Sequence, residues 1–275
     1  MHDTQLHRPA ERAPRARPRA AGTAAAPALP AIGLEAVWAR HADEVRAAQR
    51  LRWRVFADEL GARLSPPPGS PPGHDVDAFD GHCEHLLVRT VASADRPSQV
   101  VGTYRVLTPA AARLVGRLYT ETEFELSALA AWRPRLVELG RSCVDPAFRQ
   151  GSVIMLLWAT LAGFMRDNRL DAAIGCASVP MRDGGHAAAS LWQSLCAEHL
   201  APAALRVRPR VPLPLAELRT DLAVEPPPLV KGYLRCGAQL LGAPAWDADF
   251  HVADLPMMLQ LADLPVVYRR RFLGD

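Results

Sequence analysis

Apolar and polar positions along the chain keep two rhythms, and each segment declares one of them. Residues 34–39 are short and apolar enough for a strand. Asp43 then caps a helix on which Val45, Ala48, Leu51, Val55 and Leu60 recur near helical spacing, and Gly61 ends it. Proline and glycine dominate 65–73, which predicts a loop. Strands follow at 85–91 and 100–107, with Pro97 and Ser98 in the turn of an antiparallel hairpin. Pro109 opens a short helix, since a first-turn proline loses no hydrogen bond.

The centre reads as a strand over 135–144, a turn through Gly151, a long apolar helix over 152–168 and a buried strand over 171–178. A strand, helix, strand order predicts one crossover unit beside the antiparallel strands. A helix over 185–198 carries Ala188, Leu191, Trp192 and Leu195 on one face. Beyond a proline-rich stretch come expected strands at 230–241 and near Phe250, then a basic helix at 264–272. The fold class expected is α+β, a mixed and mostly antiparallel sheet flanked by helices.

Residues 1–31 keep neither rhythm. They are rich in Arg, Pro and Ala and are expected to form a disordered tail, leaving 32–275 as a single domain. Arg8, Arg12, Arg15, Arg17 and Arg19 are candidates for phosphate contact, against the plainer reading of a solvated tail. The chain has 275 residues, 49% hydrophobic, enough for one substantial core. A net charge of +3 is too small for the basic face that nucleic acid requires, but it suits an acidic protein partner or an anionic membrane surface. The five cysteines are odd in number and form no C-x-x-C, so they read as reduced core residues of a cytoplasmic protein. The most apolar stretch, 153–165, is too short to span a bilayer, and the N-terminus has no apolar core for a secretory signal. Tyr268, Arg269, Arg270, Arg271 and Phe272 suit either a peripheral inner-membrane contact or a solvated terminal helix.

Charged residues inside apolar runs mark the candidate chemistry. The loop 74–82 holds His74, Asp75, Asp77, Asp80 and His82. No ligand pair has a recognised metal spacing, so no metal is expected; a polar loop with Asx turns and a carboxylate site for a cationic ligand both remain. Glu138 and Arg141 interrupt an apolar strand, which is costly unless the charges are paired or used. Residues three apart face opposite sides of a regular strand, so one shared site needs a bulge, expected at Gly140; an ion pair that only organises the core is the alternative. Arg149, Gly151 and Ser152 open the apolar helix, where free amides and an arginine suit a phosphate. Arg105 is another charge in an apolar strand, suited to a carboxylate, whereas Arg52 and Arg54 are as consistent with a solvated helix face.

Taken in order, Arg52-x-x-x-Phe56, Asp77-x-x-Asp80, Gly102-x-x-Arg105 and Glu138-x-x-Arg141 resemble the acyl-homoserine-lactone synthases, GNAT-like enzymes that use acyl carrier protein. Those synthases carry a tryptophan soon after the first motif, where this chain has Gly61-Ala62-Arg63. The segments 54–62, 227–235 and 244–250 resemble instead the ornithine-acyl-carrier-protein N-acyltransferases, and that likeness covers roughly residues 34–272. The resemblance implies an acyltransferase with no permanently bound cofactor. Its donor is a 3-hydroxyacyl group on the phosphopantetheine arm of acyl carrier protein, and its acceptor is the α-amine of ornithine, in the first step of ornithine lipid synthesis. It implies Glu138 as general base beside Arg141, Asp77 and Asp80 for the δ-ammonium, Arg105 or Arg141 for the carboxylate, Arg52 as a further substrate-binding residue, and Arg149, Gly151 and Ser152 for the arm's phosphate. A lactone-synthase-like enzyme with another amine, and a carrier-protein-binding module without turnover, are the alternatives.

Overall fold

The computed structural model describes residues 33–274; the tail expected over 1–31 lies outside them. In chain order the elements are β1 (Leu34–Trp38), α1 (Ala42–Trp53), β2 (Glu84–Thr90), β3 (Val100–Leu107), α2 (Pro109–Val115), β4 (Phe124–Glu125), β5 (Leu136–Val144), α3 (Ser152–Asp167), β6 (Ala172–Pro180), α4 (His186–His199), β7 (Arg208–Pro209), α5 (Pro228–Arg235), β8 (Gln239–Leu240), β9 (Ala245–Asp247), β10 (Val252–Gln260) and α6 (Val266–Leu273). The main sheet runs β1-β2-β3-β5-β6-β10-β8, with β9 also on β10, while β4 and β7 pair separately. Every pairing in the main sheet is antiparallel except β5 with β6, the crossover pair that α3 connects.

Alternation along β3 shows how the sheet separates its two faces. Tyr104 and Val106 pack toward α3 with Leu157 and Leu161. Arg105 points the other way, toward the acidic loop beneath α1. At the far half of the sheet α4 covers β6 and β10 through Leu191, Leu195, Val179 and Leu255. Among the described residues no helix is long and apolar enough to cross a membrane.

Three elements depart from the sequence reading. The first helix ends at Trp53 and continues as a π-helical turn, Arg54–Glu59, before Gly61 turns with φ of 78°. The strand expected over 230–241 is mostly helix α5. Pro227 and Pro228 start it, Val230, Tyr233 and Leu234 keep the i, i+3, i+4 spacing, and Gly232 lets it lie against the Trp158 ring. The strand expected near Phe250 is nine residues long and holds Pro256 in mid-sheet. Pro256 is tolerated because its carbonyl accepts from Leu241 N, so its missing N–H also faces the two-residue β8 rather than the long ladder with β6.

Candidate active site

The parallel pair β5 and β6 is in register only from Leu136 opposite Ala172 to Glu138 opposite Ile174. Beyond that the strands part, and Leu139, Gly140, Arg141 and Ser142 on one side face Cys176, Ser178 and Pro180 on the other across a cavity of about 280 Å³. Gly175 sits at the fork: a Cβ there would overlap the Leu139 carbonyl. Opposite Tyr104, β5 carries both Arg141 and Ser142, since Thr103 pairs with Cys143 and Arg105 with Gly140. This is the bulge the charges demanded, one residue beyond the expected glycine, with Arg141 itself at φ of 51°. It turns Glu138 and Arg141 toward the same cavity.

Arg52, Arg105 and Arg141 interlock with Asp75, Asp77 and Asp80. Arg52 is fully buried; it donates to Asp75 at 2.7 Å and Asp80 at 2.7 Å and also reaches the Asp75 carbonyl. It does not line the cavity, so neither a solvated helix face nor a direct substrate contact describes it. Arg105 bridges Asp77 at 2.6 Å and Asp80 at 3.0 Å. Burial would raise the Asp80 carboxyl, but Arg52 and Arg105 hold it down at about 2. Asp77 and Asp80, expected to hold an ammonium, are therefore already neutralised by arginines. Arg141 is the most open of the three arginines, stacked between Tyr119 and Phe250 at 4.9 Å from each ring, with contacts of 3.2 and 3.3 Å to Asp75 and Asp77. Its guanidinium thus reaches the cavity while anchored on both faces.

Glu138 is buried on the cavity wall, yet its oxygens are occupied. One accepts from Tyr119 N at 2.6 Å, the other from Thr120 N at 2.6 Å and Thr120 Oγ1 at 2.5 Å. Burial pushes its pKa up, and these donors oppose the shift. A different carboxyl pair has fewer donors around it. Glu123, Cys176 and Asp254 bring ligand atoms within 4.8 Å of one another. Asp254 accepts from Ser178 Oγ at 2.6 Å, while Glu123 Oε2 is buried with no partner. Burial, then the neighbouring Asp254, pushes Glu123 up to about 10; burial likewise raises Asp254, with Asp247 adding to it. Asp247 and Asp254 line the cavity, and among the described residues none of these three acids has an ion-pair partner. Sequence reasoning missed Glu123 and Asp254. The one available signal was Asp254 inside an otherwise apolar run.

Residues 51–159 match the acetyltransferase (GNAT) domain. The chain is 36% identical over 252 residues to an L-ornithine N(alpha)-acyltransferase of Agrobacterium fabrum, covering 88% of this chain and 86% of that protein. It is 34% identical over 266 residues to the L-ornithine N(alpha)-acyltransferase of Rhizobium meliloti, covering 91% and 89%. The chain belongs to the L-ornithine N(alpha)-acyltransferase family. It is an acyltransferase with a GNAT fold, and among solved structures the AHL synthase LasI shares that fold with a TM-score of 0.51 at 12% identity, over 89% of this chain and 96% of that one.

In this acyltransferase the expected phosphate end lies apart from the cavity: Arg149, Gly151 and Ser152 are not among its lining residues. Arg149 is committed to Glu59 through bonds of 2.6 and 2.7 Å, and its Nε donates to the Val144 carbonyl at 3.0 Å. Gly151 takes the left-handed conformation, φ 97°, that turns the chain into α3. The amides of the first turn, including Ser152, remain as the donors this end offers an anion.

Proposed function

We propose that the acyltransferase moves an acyl group from the phosphopantetheine thioester of acyl carrier protein to the α-amine of L-ornithine. The observation that supports this most is the mixed charge of the cavity wall: Arg141 and the exposed Arg182 line it, as do Asp247 and Asp254, which have no ion-pair partner among the described residues, with Glu123 close behind Asp254. An α,ω-diamino acid has the complementary charges. Its carboxylate meets Arg141, its side-chain ammonium meets Asp247, and its α-ammonium lies against the Glu123–Asp254 pair. The relatives' printed activity on L-ornithine points to the same acceptor.

The donor arm enters the fork extended, with a thioester between β5 and β6, and a β5 backbone amide beyond Glu138 stabilises its oxyanion. The ammonium must first lose a proton. Two carboxyls that share a proton in a buried site accept one readily, whereas the lone pairs of Glu138 are largely spent holding the turn at Tyr119. We therefore assign proton removal to the Asp254 pair and the shaping of the cavity to Glu138. The amine nitrogen then attacks the thioester carbon, the C–S bond breaks, and the thiolate takes up a proton. The arm's phosphate falls to the amides at the start of α3. No resident cofactor enters the scheme. The product is amphiphilic, and the basic end of α6 offers a peripheral contact with an anionic membrane.

Purified protein with loaded acyl carrier protein, offered ornithine and 2-aminopentanoic acid, tests the reading. Ornithine is expected to win by roughly a hundredfold in kcat/KM, as a paired buried charge implies, and Asp247→Asn should erase most of that preference. Equal use of both acceptors would sink it. Wild-type turnover in Asp254→Asn, with loss in Glu138→Gln, would return the base to Glu138.

A further inference from the structure

Parallel strands end on the same side of a sheet, so β5 and β6 open the fork in one direction, and an arginine stands at each end. At the end of β5, Arg149 donates to the Val144 carbonyl at 3.0 Å and grips Glu59 with two bonds. At the end of β6, Arg182 follows Pro180 and Met181. Arg182 is exposed, and among the described residues its side chain has neither an ion-pair nor a hydrogen-bond partner. It lines the reaction cavity together with Leu60, Ala62 and Pro180, whereas Arg149 does not. Hydrogen bonds from Arg149 hold the Glu59 carboxyl below its ordinary range, and the charges of Arg149 and Arg182 add to that hold, so both arginines stand near one acid.

Two cations therefore face one anion at the mouth of the fork. Arg149 answers Glu59 with both of its terminal nitrogens, which leaves the charge of Arg182 over. Its place along the strand says what that charge can meet. Cys176 lines the cavity just beyond Gly175, where the strands part. The four steps from Cys176 to Pro180 cover about 13 Å, and Arg182 stands two residues further. An amino acid that meets Arg141 at depth leaves Arg182 unused. A pantetheine arm laid along the fork, with its thioester near Cys176, runs outward to the mouth and carries one phosphate at that end. A guanidinium matches a phosphate with paired N–H donors.

We propose that Arg182 binds the phosphate of the donor arm and so fixes how deep the thioester enters the fork. The guanidinium bonds two phosphate oxygens from the β6 side and shares the anion with the amides at the start of α3. Glu59 stays paired with Arg149, and Arg182 gains its counter-charge only from the donor. This rests on the reading of the fork as a thioester channel, not on the identity of the acceptor.

The test needs no acceptor. Full-length protein is titrated, by calorimetry, with non-hydrolysable acyl amides of phosphopantetheine and of pantetheine that carry the same unsubstituted chain. The wild type is expected to bind the phosphorylated probe at least about tenfold more tightly, the scale of one charge-assisted hydrogen bond. Arg182→Ala should remove most of that ratio while leaving affinity for the unphosphorylated probe unchanged, and Arg182→Lys should keep most of it. A wild-type ratio near one, or a ratio unmoved in Arg182→Ala, overturns the assignment. So does an equal loss for both probes, which would make Arg182 a residue that only shapes the mouth. Weaker binding of loaded carrier protein with the probe ratio intact would likewise overturn it, by placing Arg182 against the protein surface. If neither probe binds the wild type, the channel reading falls as well. Probes that bind as expected, with no acylation of ornithine, would leave this inference standing and defeat the acceptor reading instead.

Discussion

The most consequential side chains are those whose charge is not answered. Asp80 is satisfied by Arg52 and Arg105, and Arg105 by Asp77 and Asp80, which holds them in place and makes them unreactive. Glu123 and Asp254 hold a proton between them because burial and mutual repulsion forbid two charges. In the unfolded chain both carboxyls ionise in the ordinary range. The native state therefore binds more protons above that range, and stability must fall as pH rises from there toward about 10. The slope reaches about 1.4 kcal/mol per pH unit for one proton. Urea midpoints at about pH 6 and about pH 9 should show the fall, and Asp254→Asn should flatten it. A slope of opposite sign would show that the pair is ionised in the native protein.

Among the elements, the fork between β5 and β6 is the feature on which chemistry depends. Two strands joined through α3 begin as neighbours and then separate, because β5 is held to β3 through its bulge while β6 is held to β10 along its whole length. Gly175 lets the strands meet closely just before they part. Gly175→Val should cost about 1–3 kcal/mol, as overpacking does, and should lower turnover by reshaping the fork. Gly163→Ala in α3, where a new methyl group meets nothing, should be neutral or stabilising by about 0.4–1 kcal/mol. Thermal melts with turnover assays of both variants check the contrast, and equal effects would remove the special role given to the fork.

Across the whole molecule, the arginine–aspartate network ties α1, the loop after it, β3 and β5 into one unit. Charges buried this way gain little over apolar packing, but breaking a set leaves an uncompensated ion. Arg52→Ala should lower global stability by about 3–5 kcal/mol, read from denaturant unfolding. Its loss of activity should track the unfolded fraction, because Arg52 touches no ligand. A stable Arg52→Ala protein with specific loss of turnover would instead make Arg52 part of the chemistry.

Local pattern was enough for the strands at 34–39, 85–91 and 100–107, for α3 and for the crossover, because period, proline and glycine act within a few residues. It also marked Glu138, Arg141 and Arg105 as charges in apolar strands, and these three do line one cavity. The bulge was legible for the same reason: two charges three apart cannot share a face without one. The helix α5 was also written locally, in its opening prolines and in the spacing of Val230, Tyr233 and Leu234, but was read as a strand; that Pro256 lies in mid-sheet was not legible, since it depends on the short partner at its side. Nor did it tell which charges cancel. Asp77 and Asp80 looked free in a loop but are matched by arginines from α1, β3 and β5, whereas Glu123 and Asp254 looked ordinary and are brought together unpaired. Sequence alone determined where charge interrupts an apolar strand, at Arg105, Glu138 and Arg141, since burial there follows from neighbours along the chain; only the tertiary structure decided that Arg52 is buried too and which charges remain to act, since burial on a helix and compensation depend on groups distant in sequence and close in space.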